Sequence, residues 1–158
     1  MTTIEKRLQA LEDQLEIGQL RAKYCHYLDG FEWGKFVSLF TEDGEFQGLS
    51  TARGHKELMN FFSLVVPSMQ EKFWHFCTNG TVEIVDDMAT GRISMEFFSI
   101  TNGKSFVSAG HYDDVMVRDE KGWKFKSRKI TFYFYSPLEE GFTGRPPGAV
   151  QSVQQENS

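Results

Sequence analysis

The sequence predicts an α+β fold in which helices come first and a meandering antiparallel sheet follows. In the N-terminal part, apolar residues recur at intervals of three and four, which is the period of a helix. From residue 72 onward the pattern changes to strands that are separated by short turn sequences. Because aromatic residues alternate on both faces and the helices lie on one side, we expect the sheet to curl around them.

The first helix is predicted to begin near Thr2, since Thr2 and Glu5 have the spacing of a capping box. A kink is expected at Gly18, and Gly30 suits a C-terminal cap. Two apolar stripes lie along this helix, the first formed by Ile4, Leu8, Leu11 and Leu15 and the second by Leu20, Tyr24 and Leu28.

Two further helices and a short strand are predicted before the sheet. The segment "TEDGEF" indicates a turn into a short strand, and a helix that begins at Gly54 is expected to end at Pro67. A short helix after Gly30 is expected to turn four apolar side chains inward, namely Trp33, Phe36, Leu39 and Phe40.

Four strands are predicted over residues 72–85, 89–101, 105–118 and 122–135. The segments "DDMA", "TNGK" and "DEKG" between them are typical of turns. A chain of 158 residues fits one domain, which we place over residues 1–136. Residues 137–158 have Gly and Pro punctuation and a polar end, so we expect an irregular tail.

Composition narrows the possible classes of function. A net charge of -5 without a basic run disfavours nucleic-acid binding. There is no apolar run of about 20 residues and no signal-peptide core, so we expect a soluble cytoplasmic protein without membrane contact. Aromatic residues make up 15% of the chain, which indicates either a Phe-packed core or a ring-walled cavity for a flat apolar ligand.

Two histidines lie in the middle of predicted strands. His75 is at the centre of the apolar run "FWHFC", where a buried imidazole needs hydrogen-bond partners. Strand alternation puts three further residues on its face, Phe73, Cys77 and Asn79. The same alternation groups His111 with Val107, Ala109 and Asp113. The two histidines either face one concavity or are unrelated core residues.

Asp29 lies in the last turn of the first predicted helix, just before Gly30. A carboxylate there opposes the helix dipole, so a specific partner is expected, and an imidazole is the natural one. A histidine supported by a carboxylate can act as a general base near neutral pH. The alternative is an exposed Asp29 in a frayed turn. Tyr24, on a neighbouring face, can donate a phenolic hydrogen bond or simply pack.

No metal or other cofactor is expected. The two cysteines, Cys25 and Cys77, are too few for a disulfide framework, and Cys77 lacks an activating motif. No closely spaced ligand pair indicates a metal site. Arg128 is expected to pair with Asp113 or Asp114 and to lock the sheet.

Three segments together carry a resemblance to a known family. They are "RAKYCHYLDGFEWGKFVSLFTEDGEF", "FWHFCTNGTVEIVDDMATG" and "GHYDDVMVRDEKGWKFKSRKI". Their order resembles the SnoaL-like branch of the nuclear transport factor 2-like superfamily, over about residues 3 to 135. The resemblance implies a cone-shaped barrel in which long helices pack into the mouth of a strongly curved sheet, with a pocket inside the cone.

Within this branch the chain resembles scytalone dehydratase and bile acid 7α-dehydratase. The resemblance implies four catalytic residues, Tyr24, Asp29, His75 and, by a looser match, His111. It implies that Asn79 lines the pocket, and we expect substrate contacts from Phe73, Cys77, Phe40, Trp33 and Ala109. The Gly/Pro-rich tail departs from these relatives and can act as a lid, with Phe142 as a plug.

We expect a cofactor-independent lyase of the dehydratase type that acts on a hydrophobic aromatic or polycyclic small molecule. His75, oriented by Asp29, would remove a proton, while Tyr24 polarises an oxygen and His111 protonates the departing hydroxyl. The same residues suit a retro-aldol cleavage, an isomerisation or a cyclisation. The other class is a non-catalytic ligand-binding or assembly module, such as the small subunit of a dioxygenase.

Self-association as a homodimer or homotrimer is expected through the outer face of the sheet. Large exposed apolar patches usually mark such interfaces. The outward rings that we expect there are Trp74, Phe76, Phe98 and Phe106.

Overall fold

The computed structural model describes residues 2–139 of the chain. Its helices are α1 Thr3–Asp29, α2 Trp33–Val37, α3 Gly54–Asn60 and α4 Val66–Met69. The predicted capping box begins α1, because the Thr2 hydroxyl accepts from the Glu5 N–H and the Glu5 carboxylate accepts from the Thr2 N–H. The helix continues through Gly18 without a break, and the chain turns at Gly30 as expected.

The two apolar stripes of α1 have different environments. The second stripe packs on the sheet, and Leu20, Tyr24 and Leu28 are buried. The first stripe does not, since the exposed fractions of Ile4, Leu8, Leu11 and Leu15 are 76, 53, 64 and 66%. The apolar face of the N-terminal turns of α1 is therefore left uncovered by the described residues.

The helix that begins at Gly54 does not end at Pro67 as predicted. A π-helical segment, Phe61–Val65, joins α3 to α4, and Pro67 lies in the first turn of α4. The first turn of a helix tolerates proline because its backbone nitrogens need no intrahelical partner. The change in helix type thus accommodates the proline.

One mixed sheet of six strands forms the rest of the domain, in the order β2-β1-β6-β5-β4-β3. The strands are β1 Phe40–Gln47, β2 Thr51–Arg53, β3 Lys72–Val85, β4 Met88–Thr101, β5 Lys104–Asp119 and β6 Gly122–Pro137. The last four form the predicted antiparallel meander. β1 pairs with β6 in parallel, so the sheet is not wholly antiparallel as predicted. It is also not closed, because β2 and β3 are free edges.

Strand register separates an inner face, which packs on α1, from an outer face. Trp74 and Phe76 are outward, with 41 and 54% of their surface exposed, and the Phe98 ring lies 5.8 Å from that of Phe76. Phe106 corrects the prediction of four outward rings. It pairs with inward Ser99 and stacks on the ring of Tyr135 at 4.9 Å, so it belongs to the inner face.

A buried ion pair lies at the centre of the inner face. Arg128 donates two hydrogen bonds to Asp114, at 2.7 and 2.8 Å, and Arg21 of α1 donates a third at 2.9 Å. The expected pairing of Arg128 with a carboxylate is thereby confirmed for Asp114. Removing one partner of such a buried pair typically costs about 3–5 kcal/mol, so this cluster anchors α1 to the sheet.

The predicted lid lies mostly outside the described residues, as does Phe142. The described part of that segment consists of Pro137, which ends β6, and residues 138–139. In the described part of the chain, no helix is long and apolar enough to span a membrane.

Candidate active site

The candidate site lies where α1 runs antiparallel to the edge strand β3. A helix rises about 6 Å over four residues and a strand about 6.6 Å over two, so successive turns of α1 face successive inward positions of β3. We call this contact the α1–β3 seam. Its three cross-links are Asp29 with His75, Cys25 with Cys77, and Arg21 with the carbonyl of Thr81.

Asp29 uses both carboxylate oxygens to hold His75. Its Oδ1 lies 2.6 Å from Nδ1 of the imidazole, and its Oδ2 accepts from the backbone N–H of His75 at 2.9 Å. An ionised carboxylate can only accept, so Nδ1 carries a hydrogen and donates it. This fixes the tautomer that leaves the lone pair on Nε2. The predicted pairing is confirmed, while the catalytic roles of the two residues stay predictions.

The surroundings of the imidazole are largely aromatic. The His75 side chain is 8% exposed and that of Asp29 19%. The centroid of the imidazole lies 4.7 Å from the ring centroid of Phe97 and 5.8 Å from the ring centroid of Phe73. The rings of Phe73 and Phe31 are in turn 5.2 Å apart. No described residue hydrogen-bonds Nε2, so the basic nitrogen is left for a ligand or solvent.

A cleft of about 470 Å³ opens between α1 and β3 and reaches His75. Its volume is in the range of small-molecule sites, about 300–1,000 Å³. Side chains that line it include His75, Cys77, Cys25, His26, Arg21 and Ile93. A larger cleft of about 680 Å³ is lined by charged residues such as Arg92, Asp113 and Lys129 and contains no histidine, so it does not share the acid–base pair.

Tyr24 belongs to the aromatic core and not to the seam. Its ring centroid lies 4.9 Å from that of Phe36 and 5.6 Å from that of Tyr112, and the guanidinium of Arg128 lies 4.2 Å above it. Burial raises the pKa of Tyr24 far above its usual value, although the charge of Arg128 opposes this, so the phenol stays protonated. Tyr24 has no hydrogen bond or ring contact with His75, so the geometry gives no support to the predicted role.

His111 does not face the concavity of His75, so the first of the two alternatives for these histidines is excluded. It pairs with Ser94 on the outer face, whereas its neighbour Tyr112 is inward against Tyr24. Its Nδ1 lies 2.8 Å from the hydroxyl of Tyr133 and its Nε2 3.2 Å from the carboxylate of Asp113. Because both ring nitrogens have partners on the outer face, His111 cannot protonate a group in the seam.

The residues expected to contact substrate are divided between the site and the core. Cys77 is half-buried on the face of His75 and lines its cleft, whereas Phe73, beside His75 on the same face, is fully buried, which corrects the expectation that it contacts substrate. Trp33 is half-buried, and its ring lies 5.3 Å from that of Phe31, at the end of the same series of rings. Phe40 is fully buried against Phe125 and has no surface for a ligand, which corrects that expectation.

Ala109 and Asn79 are also away from the position we predicted. Ala109 pairs with Glu96, whose other partner is the outward Phe76, so it lies on the outer face. Asn79 is exposed with a φ of +54° and begins a bulge at residues 79–80. Asn79 contributes through its backbone, which forms the bulge together with Gly80. A Cβ at position 80 would lie 3.1 Å from a nitrogen of Arg21, so the glycine leaves room for that guanidinium.

Sequence reasoning did not identify Phe97, Phe31 or Arg21. Counting back from the turn between β3 and β4 would pair His75 with residue 98, but the bulge shifts the register by one and places Phe97 opposite. Arg21 did carry a signal, since it lies four and eight residues before Cys25 and Asp29 on one helix face. Among residues 2–139, no cluster of three or more metal-binding side chains occurs.

Comparisons with solved structures give the same fold. A candidate aromatic ring hydroxylase from Novosphingobium aromaticivorans is 28% identical, with 80% of this chain and 94% of that one covered and a TM-score of 0.74. The hexachlorocyclohexane dehydrochlorinase LinA-type3 from Novosphingobium barchaimii is 23% identical, with coverages of 89% and 99% and a TM-score of 0.78. A candidate scytalone dehydratase from Novosphingobium aromaticivorans is 18% identical, with coverages of 92% and 98% and a TM-score of 0.73.

Comparison of the sequence with curated proteins gives no match. In the comparison with protein families, residues 9–129 match the SnoaL-like domain. This span contains most of α1, the sheet up to the middle of β6, and every residue of the α1–β3 seam. The match covers well over half of the sequence, and the chain therefore belongs to the SnoaL-like domain family.

Proposed function

We propose that this protein is a lyase in which His75 removes a proton from a small apolar substrate and a leaving group departs from the adjacent carbon. The observation that carries the proposal is the pair of contacts by which Asp29 positions His75. One joins Oδ1 to Nδ1 of the imidazole at 2.6 Å, and the other joins Oδ2 to the backbone nitrogen at 2.9 Å. A merely structural histidine needs no fixed tautomer with a free, basic Nε2. A positioned base of this kind typically contributes about 10²–10⁴-fold to a rate.

The elimination step balances with these residues alone. Nε2 takes the proton, the electron pair of the broken C–H bond forms the new double bond, and the leaving group departs with its bonding electrons. His75 becomes an imidazolium that Asp29 stabilises, and it then gives its proton to the leaving group or to water in the cleft. In the retro-aldol variant, Nε2 instead takes a hydroxyl proton, and a carbon–carbon bond breaks to release an aldehyde.

The substrate class follows from the walls of the site. The rings of Phe97, Phe73 and Phe31 form a series beside His75, and Trp33 extends it. Phe97 and Phe73 are buried, so the half-buried rings of Phe31 and Trp33 are the ones that a ligand can reach. Flat aromatic or polycyclic molecules gain most from such walls. Two of the structural neighbours are named for eliminations, of hydrogen chloride and of water. An elimination of either kind removes a proton as well as a leaving group, which is the step proposed for His75.

Isomerisation is the second candidate, and one observation favours it. With His111 on the outer face, no second acid hydrogen-bonds the His75–Asp29 pair within residues 2–139. A single imidazolium that keeps its proton can return it to another carbon of the same substrate. A non-catalytic binding module, in contrast, would have no use for an oriented base.

Proton abstraction can be tested without knowing the leaving group. We would measure deuterium exchange at the acidic carbon of 2-tetralone in D₂O by NMR, together with chloride release from hexachlorocyclohexane and dehydration of scytalone. Exchange that His75→Gln slows by about 10²-fold or more supports the base. The matched control is His55→Gln, because a glutamine amide can still donate to the carbonyl of Phe40 that His55 bonds.

Two results would defeat the proposal. One is exchange by His75→Gln at the wild-type rate. The other is the absence of any acceleration by the wild-type protein on all three probes. Appearance of a rearranged double bond without loss of a group would select the isomerase.

A further inference from the structure

A pair of thiols forms the middle cross-link of the α1–β3 seam. The Sγ atoms of Cys25 and Cys77 lie 3.4 Å apart, and both residues are free cysteines. A disulfide requires a separation of about 2.0 Å, so the two sulfurs need to approach by only about 1.4 Å. Helix α1 and strand β3 already hold the two thiols in direct contact.

The two thiols differ in access. Both line the cleft that also reaches His75, but Cys25 is buried and Cys77 only half-buried. A small reagent that enters the cleft therefore meets Cys77 first. Cys25 lies behind it at contact distance, which is the arrangement of an attacking and a resolving thiol.

The two thiols also differ in acidity. The hydrogen bond with Cys25 lowers the pKa of the Cys77 thiol, and the nearby Arg128 and Arg21 charges add to this against the effects of burial and of the Asp114 charge. The same hydrogen bond, together with burial, raises the pKa of Cys25. The reactive species of a thiol is its thiolate, so Cys77 is the nucleophile of the pair.

We propose that Cys25 and Cys77 are an oxidisable dithiol that a small hydroperoxide converts to an intramolecular disulfide. The Cys77 thiolate attacks one oxygen of hydrogen peroxide, the O–O bond breaks, and a sulfenic acid and hydroxide form. The Cys25 sulfur then attacks the Cys77 sulfur, the S–O bond breaks, and water leaves with the thiol proton. The two sulfurs lose two electrons in total, and the peroxide is reduced to two molecules of water.

The disulfide would add a covalent cross-link one helical turn before Asp29 and two strand residues after His75. It closes a loop of about 50 residues, so it should raise the melting temperature, by roughly 5–15 °C. This inference does not depend on the proposed function, since the thiols oxidise whether or not His75 acts on a substrate.

The experiment uses the full chain, reduced and then treated with hydrogen peroxide, and measures intact mass, free thiols and cross-linked peptides. Because the chain has only 2 cysteines, the thiol count is unambiguous. We expect a loss of two hydrogens, no remaining thiol, a Cys25–Cys77 peptide that dithiothreitol cleaves, and a higher melting temperature. The rate should rise with pH as Cys77 ionises, with a midpoint below that of an ordinary thiol.

Two single variants separate the roles of the thiols. In Cys25→Ser, Cys77 should still react and be trapped as a sulfenic acid by dimedone. In Cys77→Ser, the oxidation of Cys25 should be slower by about tenfold or more, because it is buried and protonated. Overoxidation to sulfinic acid without a linked peptide, a disulfide between two chains, or faster reaction of Cys25 than of Cys77 would each overturn the proposal.

Discussion

Replacing Asp29 with asparagine tests the proposed mechanism most directly, because it changes charge and tautomer with little change in shape. Asparagine keeps one oxygen, which can accept from the backbone N–H of His75 as Oδ2 does now. Its amide NH₂ then faces Nδ1 of the imidazole and donates to it. The hydrogen of His75 must move to Nε2, and the imidazole can no longer accept a proton at that nitrogen.

The expected loss in rate is that of a general base, about 10²–10⁴-fold. The expected loss in stability is much smaller. A hydrogen bond to a charged group contributes about 1.5–3 kcal/mol, and the 19% exposure of the Asp29 side chain reduces this to roughly 1–2 kcal/mol. For a chain of this size, that corresponds to a melting temperature lower by roughly 2–8 °C.

Deuterium exchange of 2-tetralone reports the rate, and urea unfolding at pH 7 reports the stability. The matched control is Asp43→Asn, which neutralises an exposed carboxylate that pairs with Lys126. The double variant Asp29→Asn/His75→Gln should be no slower than His75→Gln alone, because Asp29 acts through the imidazole. A variant Asp29→Asn that loses stability but keeps its rate would refute the reasoning and make the pair structural.

Three further predictions concern the core and the exposed stripe of α1. Above about pH 10.5 the free energy of unfolding should fall by up to about 1.4 kcal/mol per pH unit for each of Tyr24 and Tyr112. The reason is that burial raises both pKa values, so only the unfolded chain ionises there. Urea unfolding of Tyr112→Phe should show a shallower dependence of the unfolding free energy on pH, and an unchanged dependence would contradict this. Tyr24→Phe should exchange 2-tetralone at nearly the wild-type rate, and a 10²-fold loss would restore Tyr24 to the site. We also propose that a second copy of this chain covers the exposed stripe of α1, because its residues recur at the 4-3-4 spacing of a coiled-coil seam and contiguous exposed apolar patches usually mark interfaces. Leu8→Gln/Leu11→Gln should shift the light-scattering mass to that of a monomer, and an unchanged mass would exclude this interface.

The strands could be predicted closely because their ends are set by local turn chemistry. β3 and the predicted strand agree at residues 72–85, and three residues with positive φ mark the reversals that follow: Asp86 and Asn102 in turns, and Gly122 at the start of β6. Each of these residues determines a reversal within two or three positions of itself. The parallel pairing of β1 with β6 could not be predicted in this way, because it joins residues about 80 positions apart and leaves no local pattern.

The face of a strand residue was predictable only relative to its own strand. Alternation correctly grouped Phe73 with His75, and it correctly grouped His111 with Asp113. It could not say which group is inward, since that depends on the register through β4, where Met95 lies opposite Cys77 and Ser94 opposite His111. A one-residue difference in that register exchanges the two faces.

The pairing of Asp29 with His75 was predictable for a different reason, which is that each residue is unfavourable without a partner. A carboxylate at a helix C-terminus and an imidazole in an apolar strand both need an opposite group, and the sequence offers few. Tyr24 gave no such signal, because a tyrosine in an aromatic core is ordinary. On α1, adjacent residues differ in direction by about 100°, so Tyr24 and Leu28 meet the core while Cys25 and Asp29 meet β3. One helix thus separates two roles by a single residue, and substitutions on its first face should alter mainly stability while those on its second alter rate and thiol chemistry.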